Sequence, residues 1–346
     1  MITNNNNTSN DNNTNNNTIH NNNTTYNTNT TQLYDPEILL YGIEEQYNGT
    51  PLSTHINKNH TNPKYLPNIT LPPNIKSTTN PNDLSNTDIL IIALPHQYIQ
   101  TIQTFKKILK PNITVLSLIK GFIEHDTHFE LISDYLNNLL NCKTNVLMGA
   151  NIALDVSKSI SGNIKYKSET TLGYILETDR ILLYDILNCN MFKVTCIQDV
   201  HGVELCGSLK NVISLGYGIV DGLNCSGNTK VAFLRNGLIE IKKFMKTFYP
   251  ETSEATLFES CGIADLIVSC CSGRNYKFGV SKVTNNLSVD EFEKQIGNQK
   301  IQGVGTVKCL VKFLCSRNVV DEFPVFLSVY NIFACNVSVE SILECF

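Results

Sequence analysis

Between Asp88 and Ile197 one arrangement repeats: an apolar run of strand length, then a stretch whose apolar residues recur at helical spacing. Asp88-Ile-Leu-Ile-Ile-Ala-Leu94 is apolar on consecutive residues, as a strand buried on both faces must be. Residues 97–109 follow with Ile99, Ile102, Phe105 and Leu109 on one stripe, which predicts a helix. Thr114 to Ile119 and Asn145 to Gly149 read as further strands, with a helix expected over 127–140. A helix over 177–188 and a strand from Phe192 to Ile197 complete the series. Such alternation predicts an open parallel α/β sheet. Upstream, Glu37 to Ile43 reads as one more strand, separated from Leu84 by a polar stretch rich in Asn and Pro.

Beyond residue 200 the pattern turns helical, with helices expected at Val203–Val220, Lys230–Thr247, Thr252–Cys270, Val289–Gln295 and Gly305–Leu314. The fold class is therefore α/β: a nucleotide-type sheet domain over 32–199, then an all-helical domain over 200–346. The first 31 residues belong to neither. Fifteen are Asn and nine are Thr, too little apolar surface to repay chain entropy, so the tract is expected to be disordered.

Composition excludes several classes of function. The net charge is -4 and no block of Lys or Arg occurs, which argues against nucleic acid or an anionic membrane as partner. The run from Ile89 to Leu94 is too short to span a bilayer, and no secretory signal pattern opens the chain, so a cytoplasmic protein is expected. Twelve Cys are scattered without any CxxC, most of them in apolar segments such as VELCG, KVTCI and IFACN. They read as thiols packed like small hydrophobes. Cys270-Cys271 alone lies near candidate chemistry, with a redox or metal role as the alternative to plain burial.

No GxGxxG follows the first expected strand. The nearest imitation, Gly216-Tyr-Gly-Ile-Val-Asp-Gly222, is one residue too long and reads as a helix-packing or turn segment. Lys120-Gly121 ends an expected strand, where ligands of open α/β sheets bind, although a solvated loop lysine fits equally. Lys210 lies in the apolar VELCGSLKNVISLG, so it either snorkels outward or sits in a dry pocket with a partner. In a pocket its ammonium can protonate a developing alkoxide. The natural partner is Asp265 in the equally apolar GIADLIV, with a purely structural ion pair as the alternative. Ser272-Gly-Arg-Asn275 offers a guanidinium fork and an amide for phosphate, or else an ordinary helix-ending turn.

Read together, these blocks resemble the cytosolic-type NAD-dependent glycerol-3-phosphate dehydrogenase family. The resemblance rests on INKNHTNPKYLPNITLPPNI (56–75), DILIIALPHQYI (88–99), SLIKG (117–121), MGANIALDV (148–156) and VELCGSLKNVISLGYGIVDGLNCSGNTKVAFLRNGLIEI (203–241). ESCGIADLI (259–267), GRN (273–275), QKIQG (299–303) and FPVFLSVY (323–330) continue it in one order. It implies reduction of dihydroxyacetone phosphate by NADH to sn-glycerol 3-phosphate, a Rossmann-type domain, a helical substrate domain, a homodimer and no metal. By position, Lys210 resembles the catalytic lysine, Asp265 its tuning partner, and Lys120 the second active-site lysine. Asn211 matches a donor in the site, and Ser269 stands where the family tends to have Thr. Arg274 and Asn275 resemble the phosphate clamp, with Arg274 also approaching the cofactor. Tyr98 stands where Phe is usual, on the adenine side, and Ala153, Lys300 and Gln302 fall at cofactor-contact positions.

The resemblance covers roughly residues 32–346 and begins at the family's second strand. The family's first strand, glycine loop and first helix have no counterpart in the Asn/Thr tract, no Trp occurs, and Ile43 replaces an aromatic. The sheet domain is therefore expected to be an incomplete Rossmann fold with weak NAD(H) binding. Met1 is expected to lie inside an Asn-rich insertion of a longer gene product. The competing readings are a non-catalytic relative that dimerises or binds a phosphorylated metabolite, and a reductase of another phosphorylated ketone or acid.

Overall fold

A computed structural model of the chain describes residues 34–125, 128–159, 163–297 and 299–346. The disorder expected over residues 1–31 lies outside the described residues.

Strand β1 (Ile38–Tyr41) opens the described fold. The polar stretch rich in Asn and Pro, for which no element is expected from the sequence, forms two short ladders around one helix. These are β2 (Gln46–Tyr47) with β3 (Thr50–Pro51), helix α1 (Leu52–Asn59), and β4 (Thr61–Asn62) with β5 (Leu66–Thr70). Helix α1 buries only Leu52 and Ile56, four residues apart, which is too small a stripe to stand out in the sequence. Its neighbouring turns use Asn48, His60 and Asn68 at positive φ, a conformation that Asn tolerates well. Strand β6 (Ile75–Thr78) then pairs in parallel with β1.

The alternating region builds a five-stranded sheet. Its strands are β7 (Ile89–Ile92), β8 (Thr114–Ser117), β11 (Thr144–Met148), β12 (Ser168–Gly173) and β13 (Phe192–Ile197), and a hairpin of β9 (Phe122–Glu124) and β10 (Phe129–Leu131) lies between β8 and β11 in the chain. The order is β13-β12-β11-β8-β7. Strands β7, β8 and β11 run parallel, whereas β12 runs antiparallel to β11 and parallel to β13, so the sheet is mixed at that point.

Strand β7, expected to be buried on both faces, lies at the edge of this sheet with Ile91 48% exposed. The helix expected over 97–109 is a 3-10 helix from His96 to Phe105. Its apolar residues Ile99, Ile102 and Phe105 recur every three positions, which matches three residues per turn better than 3.6. Helix α2 (Ile132–Leu140) starts later than expected because the β9–β10 hairpin precedes it. Phe122 stacks on Phe129 within that hairpin, with centroids 4.3 Å apart. Helix α3 (Ala153–Ser159) and helix α4 (Glu177–Leu187) complete this part.

Helix α5 (Val200–Gly222) is apolar all round and buried along nearly its whole length, as a central helix must be. Asp199 caps it, accepting from the Gly202 N–H at 2.8 Å. Around it pack α6 (Gly227–Phe248), α7 (Asp265–Ser272), α8 (Arg274–Thr284), α10 (Gln302–Ser316) and α11 (Pro324–Ala334), with α9 (Val289–Gln295) beside α8. The Gly216–Gly222 segment lies inside α5 and serves packing. A Cβ at Gly218 would stand 2.2 Å from the Tyr276 carbonyl of α8. Of the cysteines, Cys206 in VELCG is buried, but Cys335 in IFACN is exposed because it follows the last turn of α11.

The single helix expected over Thr252–Cys270 is broken into a 3-10 turn at Glu254–Phe258, a π turn at Ser260–Ala264, and α7. The break has a physical cause. Ser260 Oγ donates to the Glu169 carbonyl at 3.0 Å, and the Cys261 N–H donates to Thr171 Oγ1 at 3.1 Å. The segment is thus tied to the sheet, and α7 starts at Asp265.

Candidate functional site

The site forms where the loop after β8 meets α5 and α7. Lys210, halfway along α5, is 5% exposed, and Asp265, the first residue of α7, is 3% exposed. The Lys210 ammonium donates to Asp265 Oδ1 and, at 2.6 Å, to Ser269 Oγ one turn further along α7. Lys120 Nζ donates to the other carboxylate oxygen, Oδ2, at 2.9 Å. Two ammonium groups therefore share one buried carboxylate, and Lys120 is the more open of the two.

Burial, and then the neighbouring Lys120 charge, push the Lys210 amine down to about 7, with Asp265 opposing part of that shift. An amine at its ordinary value stays protonated at neutral pH. Near 7 it can both give and take a proton.

Asn211, beside Lys210 on α5, accepts a hydrogen bond on Oδ1 from Asn275 Nδ2 at 2.9 Å. Asn275 Oδ1 in turn accepts from the Gly303 N–H at 3.0 Å. This relay ties α5, α8 and α10 together, and it occupies part of Asn275's polar capacity with protein partners. Ser272–Asn275 is not a helix-ending turn alone: Gly273 separates α7 from α8, and Arg274 is the first residue of α8. Arg274 is exposed and makes no hydrogen bond or ion pair among the described residues. A free guanidinium at the first turn of a helix suits an anion.

The expected cofactor positions form a second group. Tyr98 presents a 49% exposed ring from the 3-10 helix after β7. Lys300 Nζ donates to Glu293 Oε2 at 2.7 Å, and the Ile301 N–H donates to Glu293 Oε1 at 2.8 Å. Glu293 holds the Lys300 amine above its ordinary value, and Tyr98 is near enough to add a small contribution. Gln302 opens α10, half-buried. Ala153 opens α3 and is exposed beyond the end of β11. An exposed ring beside an anchored cation, on the carboxyl-end side of parallel strands, fits the base and phosphate of a dinucleotide.

Three contributors escaped the sequence reading. Glu293 lies in the ordinary-looking DEFEKQ and gives no sign of anchoring Lys300. Ser208 Oγ accepts from the Gly121 N–H at 2.8 Å, and His96 packs its ring against Gly121. Ser208 is the lone hydroxyl in CGSLKN, a hint but no more. Cys270 is buried, which pushes its thiol up to about 12, whereas Cys271 is exposed. Among the described residues no group of three or more His, Cys, Asp or Glu is placed to hold a metal ion.

Comparison with known proteins gives this geometry a family. The model of the NAD-dependent glycerol-3-phosphate dehydrogenase N-terminus matches residues 11–171, and that of the C-terminus matches residues 199–344. The first match begins inside the Asn/Thr tract, earlier than the motifs that carry the resemblance. The cytoplasmic NAD(+) glycerol-3-phosphate dehydrogenase of Homo sapiens is 40% identical over 303 residues, covering 86% of this chain and 85% of the relative. The solved glycerol-3-phosphate dehydrogenase of Saccharomyces cerevisiae has a TM-score of 0.81 at 33% identity, covering 91% of each chain. That of Plasmodium falciparum has a TM-score of 0.83 at 33% identity, covering 91% of this chain and 87% of the other. With both family models matched and such identity over most of its length, the chain belongs to the NAD-dependent glycerol-3-phosphate dehydrogenase family.

Proposed function

We propose that this chain is an NAD-dependent glycerol-3-phosphate dehydrogenase that interconverts dihydroxyacetone phosphate and sn-glycerol 3-phosphate. The observation that carries this reading is the convergence of Lys120 and Lys210 on the two oxygens of Asp265. A ketone reduction needs a proton donor at the carbonyl oxygen and an anchor for the rest of the substrate. Bound NADH supplies the hydride.

Lys210, held between Asp265 and Ser269, gives its proton to the oxygen as negative charge develops there, and takes it back in the reverse direction. Lys120 adds a second positive charge at the same oxygen, in a pocket where low water content strengthens it. Asp265 keeps both ammonium groups in place without itself accepting the substrate's proton. Arg274 and the first turn of α8 hold the phosphate, with the Asn211–Asn275 bond fixing where that turn sits. Tyr98 and the Lys300–Gln302 segment take the dinucleotide, together with Ala153 at the start of α3.

The test is substrate-dependent NADH oxidation by the purified chain, with NADH raised until the rate saturates. Lys210→Ala is the control for background. A wild-type chain without dihydroxyacetone phosphate-dependent turnover overturns the reading. Activity confined to another phosphorylated ketone would favour a different substrate on the same plan. Titration with NADH decides the weak cofactor binding expected from the missing glycine motif.

We also read the protein as a cytoplasmic homodimer. Relatives named as cytoplasmic enzymes support the first, and exposed apolar side chains on the helical part, such as Val231 and Phe258, support the second. Light scattering of the purified chain tests the assembly.

A further inference from the structure

Gly121, which follows Lys120, has φ +137°, a backbone conformation that side-chain-bearing residues rarely adopt. Two residues hold it there. Ser208 Oγ accepts from the Gly121 N–H at 2.8 Å and lies 3.3 Å from the Gly121 carbonyl, to which it donates. On the other side, the His96 ring fills the notch left by the missing side chain: a Cβ at Gly121 would lie 2.6 Å from His96 Nδ1. Nδ1 is itself buried and has no hydrogen-bond partner among the described residues. Keeping an unpartnered buried nitrogen is unusual, and it is tolerated where the shape of a site requires it.

Ser208 stands two residues before Lys210 on α5, whereas His96 begins the 3-10 helix after β7. Resting on the catalytic reading above, we propose that Ser208 and His96 are positioning residues. Together they clamp the Lys120–Gly121 turn so that Lys120 reaches the same carboxylate as Lys210. Neither residue touches the reacting atoms. Their effect passes through Lys120.

The clamp has a consequence for Lys210. The charged or titratable groups facing its ammonium are Asp265 and Cys270 from α7 and Lys120 from the loop after β8. Lys120 is the only cation among them, and it disfavours the protonated form of Lys210. If the turn relaxes, Lys120 leaves Asp265, the repulsion falls, and Asp265 serves Lys210 alone. Each of these changes favours protonated Lys210. Burial pushes the His96 imidazole below the ordinary range, and its interaction with the Lys120 carbonyl, in the turn that it packs against, offsets part of that shift.

The experiment measures the titration midpoint of Lys210 directly, by NMR of lysine side chains isotopically labelled at Cε, with the Lys210 signal assigned from Lys210→Arg. Wild type, His96→Ala and Ser208→Ala are compared, each first shown to melt cooperatively. The expected result is an upward shift of the Lys210 midpoint by roughly one pH unit in both variants. In active protein, the basic limb of kcat/KM moves up with it. A Lys210 midpoint unchanged in both variants overturns the proposal. A shift in only one overturns the role of the other residue. Because the NMR titration needs no turnover, an inactive wild type sinks the catalytic reading and leaves this test intact. Ser208→Ala removes a single oxygen, so it remains decisive should His96→Ala fail to fold.

Discussion

Lys210 and Asp265 form an ion pair from which water is almost excluded: their side chains are 6% and 4% exposed, and 55 positions of sequence separate them. Such a pair is poor evidence for stability, since desolvating two charges offsets most of their attraction. Its geometry makes sense as chemistry. The second lysine on the same carboxylate makes one ammonium easier to deprotonate.

The proton-transfer role proposed for Lys210 predicts a pH profile with a definite sign. Reduction needs Lys210 protonated, so kcat/KM for dihydroxyacetone phosphate is expected to fall as pH rises through about 7. Oxidation of glycerol 3-phosphate needs the neutral amine and is expected to rise over the same range. Lys210→Ala should abolish both limbs and cost roughly 10²–10⁴ in kcat. Initial rates in both directions across pH 5–10, roughly the span in which side-chain amines and imidazoles titrate, check this. Parallel profiles in the two directions would contradict it.

Arg274 makes no bond within the described protein, so its removal should cost binding and not folding. Arg274→Ala is expected to raise KM for the phosphorylated substrate roughly 10–100-fold, the worth of a charge-assisted hydrogen bond, and to leave Tm within about a degree. Steady-state kinetics and a thermal melt together make the measurement.

Asn275 should behave in the opposite way. Asn275→Ala leaves Asn211 Oδ1 and the Gly303 N–H without partners in a buried place. The expected cost is about 1–3 kcal/mol for each group left unpaired, and a fall in Tm of several degrees. Activity should drop as well, since the start of α8 loses its tether to α5. Calorimetry that finds an unchanged Tm would remove the relay from the account.

His201 links the two parts of the fold, with Nδ1 2.8 Å from Glu251 Oε1 and Nε2 3.2 Å from Asp134 Oδ1 of α2. The Asp134 hydrogen bond, despite opposing burial, and then Glu251 raise its imidazole to about 9. Because the folded value lies above the unfolded one, this stabilisation is fully present below about pH 6.5 and is lost as pH rises through about 9. His201 is 31% exposed and both partners more so, so screening reduces its worth to about 1 kcal/mol. His201→Gln should lower Tm by a few degrees at pH 6 and hardly at all above pH 9.5, a window set by the same shift. A Tm difference that grew with pH would refute the assignment.

Features with a local period could be read from residue order. The apolar runs that became β8 and β11 needed no partner to be recognised, because burial on both faces leaves few polar positions. Helix α9 spans Val289–Gln295 as expected, since Ser288 and Glu291 form a capping box that marks its start within four residues. The apolar length of α5 announced a central helix for the same reason. The chemistry of Lys210 could be suspected, because a lysine in an apolar helix demands a partner.

What residue order left open depends on contacts between distant segments. Nothing beside Lys120 tells that it meets Asp265, 145 positions away, on the oxygen that Lys210 leaves free. The segment 252–270 has helical periodicity throughout, yet it breaks because β12 takes the hydrogen bonds at Ser260 and Cys261. Ile91 looks like core and is half exposed, because burial follows a strand's place in the sheet and that place is set by its neighbours. Local energies choose helix or strand over a few residues. Which carboxylate two lysines share is decided only when the helices and loops that carry them pack together.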